Sequence, residues 1–318
     1  MNASSSSLLN QDQTHTVSSV TCFYFTAPIF ESSATLIVNV IACVLNSSFA
    51  IFSSFGNLLI VAVLCKTKSL HKPANILLGW FAFCDFLLGF LAAPAFVAFK
   101  IAEITRNFES YCVLRSAYDF TSQTTLSASF VILTFMTIDR YLSLHLHLRY
   151  KEVITNRRTK RAVLFSWILS LSITVTKLWL DPKTFLFIIK ASKLLCLFVI
   201  VTVYIKILVL VRRHQIQIDQ LTVCDRRGSQ RSLYDFCRLK KYACTVAFIV
   251  ALIIACYVPV VFVSFCKAYV CTEGVEHAKI MYTLTVTFIF FTSALHPLVY
   301  ICRMREVMDA IKKFFNIK

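Results

Sequence analysis

Seven apolar runs, each about 20 residues or slightly longer, govern what this chain can become. They are Val40–Leu64, Ala74–Phe99, Val113–Tyr141, Ala162–Leu180, Phe185–Val211, Tyr242–Phe265 and Ala278–Cys302. In hydrocarbon every backbone polar group must find its partner within the protein, which leaves helices and closed barrels as the spanning structures. The strand-length alternation of a barrel is absent from these runs. Only 15% of the residues are charged, against about 25% in soluble domains. The expected fold is all-α: an integral membrane bundle of seven transmembrane helices with a short amphipathic eighth helix. Residues 1–35 form an N-terminal tail, residues 36–302 the bundle, and residues 303–318 the amphipathic helix with a short tail.

Charge sets the expected orientation. With the N-terminus outside, the inner side collects 24 of the 33 Lys and Arg and 7 of the 16 acidic residues. The outer side holds 9 and 8, and Asp85 lies within a span. Cationic inner loops are what orients membrane proteins. The net charge of +17 is therefore a topology signal and gives no reason to expect a nucleic-acid partner. After the seventh run, Met304, Val307, Met308, Ile311 and Phe315 recur at helical spacing among basic residues, the pattern of a helix lying along the inner bilayer surface.

The tail is Ser/Thr-rich and lacks the charged-then-apolar start of a cleaved signal peptide, so the first span is expected to serve as the insertion signal. Asn2-Ala3-Ser4 is a glycosylation candidate on that tail; Asn46-Ser47-Ser48 also matches but lies within a span. Six of the 13 cysteines, Cys43, Cys84, Cys196, Cys244, Cys256 and Cys302, fall in spans, where they pack as small apolar groups. Cys22, Cys112, Cys266 and Cys271 lie outside or at the outer rim as disulfide candidates. They allow three pairings, of which Cys266–Cys271 closes the shortest loop.

The third run is unlike the others. Ser116, Asp119, Thr121, Ser122, Gln123, Thr124, Thr125, Ser127 and Ser129 are too many polar groups for a helix facing lipid, so this helix is expected at the centre with its upper half lining a polar cavity. Ionisable groups inside spans are candidates for function: Asp85 in "AFCDFLLG", and Asp139-Arg140-Tyr141 closing the third run. Beside them stand Gly56-Asn57, Trp167, "CYVP" (Cys256–Pro259) and "HPLVY" (His296–Tyr300). One per helix and in this order, these features resemble the rhodopsin-like family of G-protein-coupled receptors over about residues 36 to 315.

The resemblance implies a multi-pass plasma-membrane receptor with a heterotrimeric G protein as its partner. It implies that Asp139 pairs with Arg140 at rest, and that activation lets Arg140 reach Tyr204, Tyr300 and the G protein beside Tyr141. Arginine suits this role because its charge is permanent and its fork exchanges partners. Asn57, Asp85, Ser129, Trp167, Tyr257, Pro259, His296 and Pro297 form the implied activation core, with Pro259 bending the sixth helix and Tyr257 replacing the usual Trp. The acidic residue that often holds the Arg from the base of the sixth helix is missing, since that stretch reads Arg238-Leu239-Lys240-Lys241, and detectable basal activity is expected. Asp85 with Ser129 resembles the family's sodium pocket, the one allosteric ion implied in a protein with no other cofactor. His296 stands where that pocket usually has Asn. Two readings of it are open: a neutral packing residue, or a partner sharing a proton with Asp85 and competing with sodium.

The ligand is less legible. A Schiff-base lysine inside the seventh helix is missing, and Ser122 occupies the position where amine receptors carry Asp. Asp119, one turn further out, either meets a cationic ligand or pairs with Arg115. Lys190 and Lys193 either snorkel to the outer interface, or Lys193 with Arg115 walls a pocket for an anionic small molecule, lipid or peptide near Ser122 and Gln123. The nearly absent second outer loop, Cys196 in place of a proline, and Cys266 with Cys271 look like the melanocortin receptors, in the branch with adenosine, cannabinoid and lysophospholipid receptors. Ala95 and Arg115 replace two of that group's three acids, which speaks against a melanocortin peptide. No nucleophile–base set points to an enzyme. The alternatives are a transporter or channel, opposed by the apolar inner half of the third helix, and a non-signalling decoy, opposed by the intact Asp139-Arg140-Tyr141.

Overall fold

A computed structural model describes residues 19–22, 25–28, 32–146, 149–222, 251 and 275–315. All of the sixth span but Ala251, including Tyr257 and Pro259, lies outside the described residues, as do Cys266, Cys271, Asn2 and the Arg238–Lys241 stretch. Two short antiparallel strands, β1 (Ser19–Cys22) and β2 (Phe25–Pro28), make a hairpin in the tail. Among the described residues everything else with regular structure is helical. Helix α1 spans Ser33–Lys66 and α2 Pro73–Leu87; a π turn at Leu88–Ala92 leads into α3, Ala93–Ile104. There follow α4 (Phe108–Leu146), α5 (Tyr150–Val153), α6 (Asn156–Val175), α7 (Pro182–Thr222), α8 (Val275–Arg303) and α9 (Arg305–Phe314). Five stretches among the described residues are long and apolar enough to cross a bilayer. The polar third span, in α4, is not one of them, which suits the central position expected for it: α4 packs against α2, α3, α6 and α7.

The helices are amphipathic in the sense a membrane requires. On α1, Ile37, Val44, Ile51 and Phe55 face outward while Asn39, Asn46, Ser53 and Asn57 are buried. Lipid is as apolar as leucine, so these helices associate through close packing and polar contacts. Asn46 donates to Thr287 of α8 at 3.0 Å, which places that sequon inside the bundle. Two glycines allow close approach. A Cβ on Gly56 would stand 2.9 Å from Pro297 Cγ, and one on Gly89 only 2.8 Å from Ser53 Cβ.

Helix ends follow local chemistry. Ser32 caps α1 through the Thr35 amide. Asp181, in the loop before α7, accepts from the Thr184 amide at 2.9 Å, a bond that holds its carboxyl below the usual range. The π turn has a cause in Pro94, which lacks the N–H that would serve the Phe90 carbonyl. The second span runs through this turn to Ile104, a feature not anticipated from its hydrophobicity. Helix α9 lays Val307 and Ala310 against the core, together with Met304 at its N-cap, and Lys66 stands over the Phe314 ring at 4.8 Å.

Candidate functional site

The midpoint of the bundle is a knot of polar groups from α1, α2 and α8. Pro297 cannot donate to the Ser293 carbonyl one turn back, and Asn57 supplies the missing donor: its Nδ2 lies 3.2 Å from Ser293 O and 2.9 Å from Ser53 O. The hydroxyls of Ser53 and Ser293 meet at 2.8 Å, and Ser53 donates to the Asp85 carbonyl at 3.0 Å. His296 Nδ1 lies 2.7 Å from Asp85 Oδ2. An ionised carboxylate only accepts, so a charged Asp85 requires the imidazole to donate from Nδ1. Both residues are buried, and the imidazole packs on Phe81 and Tyr300 with ring centroids at 5.3 and 6.3 Å. Ser129 is half-buried and makes no hydrogen bond to Asp85 among the described residues. Ser53 and Ser293 had not been singled out from sequence; the usable signal was Ser53 one turn before Asn57 and Ser293 one turn before Pro297.

At one end of α4, Asp139 and Arg140 are both buried. Asp139 Oδ1 accepts from the Tyr150 hydroxyl of α5 at 2.6 Å, a partner the resemblance did not include, and Arg140 acts on the same carboxylate electrostatically. Burial and the adjacent Asp139 both raise the Tyr150 phenol well above its ordinary range, which keeps it a donor. Tyr204 and Tyr141 pack in the apolar cluster around Leu144 and Ile207, and Tyr300 is fully buried in the core near Met136 and Ile200. Trp167 packs against Phe83 at 6.1 Å.

At the other end of α4, Asp119 is shared by two cations, with Arg115 Nε at 3.4 Å and Lys177 Nζ at 3.3 Å. Arg115 also stands over the rings of Phe99 and Tyr282 at 4.7 and 5.0 Å, so its guanidinium is boxed among neighbours. Lys177 belongs to a 3-10 turn after α6 and was not among the residues read from sequence; the usable signal was a cation inside the fourth apolar run. One turn inward from Asp119, Gln123 Oε1 accepts from Lys193 Nζ of α7 at 2.9 Å. Lys193 is only 5% exposed, and Ser122 is buried beside this pair. Cys112 is disulfide-bonded and Cys196 is a free thiol; the side chain of Cys22 lies outside the described residues.

The family model for the seven-transmembrane receptors of the rhodopsin family matches residues 56–300. The chain belongs to this family. Among curated relatives, mouse trace amine-associated receptor 7f is 25% identical over 276 residues, covering 79% of this chain and 75% of the relative. The rat alpha-1A adrenergic receptor is 24% identical over 345 residues, covering 93% and 71%. Squid rhodopsin superposes with a TM-score of 0.78 over 90% of this chain and 87% of its own, at 17% identity, which establishes the shared helical-bundle fold. This rhodopsin-family chain is therefore a G-protein-coupled receptor of the membrane. The melanocortin-like branch expected from the cysteine and loop pattern finds no support in these relatives, which are trace amine and adrenergic receptors. Loop length and single cysteines are local features that unrelated branches can share.

Proposed function

We propose that this receptor sits in the plasma membrane with its N-terminus outside, and that it converts outer-side binding of an anionic ligand into nucleotide exchange on a heterotrimeric G protein through Arg140. Lys193 carries the ligand class. A buried ammonium is costly unless paired with opposite charge, and among the described residues Lys193 has only the neutral Gln123 amide. A carboxylate or phosphate entering beside Gln123 would supply the missing charge. The names of the relatives suggest an amine instead. A cationic amine needs a free carboxylate, and both Asp119 oxygens already face cations from this chain. Melanocortin-like recognition gains nothing from this geometry, since the acids it uses are replaced at Ala95 and Arg115.

The test is a G-protein activation panel with four matched probes, decanoate, decanamide, decylamine and lysophosphatidate, on wild type, Lys193→Gln and Lys193→Arg. Activation is expected from decanoate or lysophosphatidate alone. Its half-maximal concentration should rise about tenfold or more in Lys193→Gln, equivalent to about 1.4 kcal/mol, and change less in Lys193→Arg. Activation by decylamine alone, or by neither anion, would refute the anionic reading.

A further inference from the structure

Asp85 is where the family resemblance placed a sodium ion, yet the groups around it do not make a site for one. Hard cations take shells of oxygen ligands, whereas imidazole nitrogen suits softer metals. Here Asp85 Oδ2 is taken by His296 Nδ1 at 2.7 Å. The two nearest hydroxyls are spent on each other and on backbone: Ser53 and Ser293 are 2.8 Å apart, and Ser53 donates to Asp85 O at 3.0 Å. The Asn57 amide nitrogen serves the Ser53 and Ser293 carbonyls. Ser129, the other expected ligand, makes no hydrogen bond to Asp85 among the described residues.

We infer that His296 replaces the metal ion at Asp85: the α2–α8 contact is held by an internal Asp85–His296 link, and the receptor does not respond to sodium. The ring packs against Phe81 and Tyr300, contacts that hold the imidazole beside Asp85. Replacing His296 by asparagine does two things at once. The buried Asp85 carboxylate loses its partner, which is costly to leave alone, and the space of the ring is returned together with an amide oxygen. His296→Asn therefore creates the sodium response that wild type lacks. The inference concerns the middle of the bundle and is independent of which ligand or G protein the receptor uses.

The experiment uses purified full-length receptor in lipid nanodiscs and follows thermal unfolding. Sodium chloride is compared with choline chloride at the same ionic strength, up to about 0.15 M. Wild type is expected to give the same midpoint in both salts within about 1 °C, whereas His296→Asn gains a sodium-specific rise of about 3 °C, the shift expected once sodium stands near ten times its dissociation constant. The rise disappears in His296→Asn with Asp85→Asn. His296→Gln serves as a second variant should the asparagine form fail to fold, and if neither folds the wild-type comparison decides alone. Sodium-specific stabilisation of wild type would overturn the inference, and so would a folded His296→Asn that is indifferent to sodium.

Discussion

Gly89→Ala is predicted to weaken the receptor through one contact. The new Cβ would lie 2.8 Å from Ser53 Cβ, 2.9 Å from its hydroxyl and 3.0 Å from the Ser54 backbone nitrogen. None of these atoms is the free end of a flexible side chain, so α1 and the π turn must separate. Forced overpacking costs about 1–3 kcal/mol. Displacing Ser53 also strains its bonds to Asp85 O and Ser293 Oγ, each worth about 1 kcal/mol. Alanine recovers up to about 1 kcal/mol of helix propensity. The balance is a loss of about 1–3 kcal/mol, seen as a midpoint lower by about 3–8 °C for the purified receptor. Gly79→Ala is the control, because its Cβ meets only Leu64 Cδ1 at an ordinary 3.5 Å; it should be neutral or raise the midpoint by up to about 3 °C. A Gly89→Ala receptor as stable as wild type, or a Gly79→Ala receptor lowered equally, would refute the packing argument.

Two further predictions concern single bonds. Asn57→Leu removes the donor to the Ser293 carbonyl that Pro297 leaves open, and should destabilise by about 1–3 kcal/mol, measured by the same unfolding assay. Tyr150→Phe deletes the 2.6 Å bond to Asp139 and should raise ligand-free nucleotide exchange about threefold or more, since hydrogen bonds to charged groups are worth about 1.5–3 kcal/mol. With the phenol raised by burial and Asp139, its contribution is complete below the free tyrosine value of about 10 and is lost only as pH rises through the higher folded value. The ratio of variant to wild-type basal activity should therefore stay constant from about pH 6 to 9.

Legibility in the sequence followed the physics of each feature. Spans were readable because hydrocarbon permits few charges, and α4 stood out because its polar residues cannot face lipid. Span ends were less so: α1 begins at Ser33, within the stretch read as tail, because a polar residue such as Asn39 turns inward as easily as it ends a helix. Asp85 and His296 could be set opposite each other from their place in the family pattern, but the serines that tie them could not, since serine hydroxyls carry no periodic signal. Tyr150 and Lys177 were missed for a related reason. Tyr150 sits in a short segment between spans and Lys177 at the end of the fourth run, and the partner of each is fixed by tertiary packing alone.

The central claim is that binding at the outer end reaches a G protein through Arg140, which is buried at the opposite end of α4. The direct measurement is guanine-nucleotide exchange on purified heterotrimers of each Gα class, with reconstituted wild-type and Arg140→Ala receptor matched for folded protein. Wild type should accelerate exchange on at least one class above the receptor-free rate, and Arg140→Ala should return it to that rate. Equal acceleration by both proteins, or none by wild type on any class with or without the anionic probes, would contradict the account.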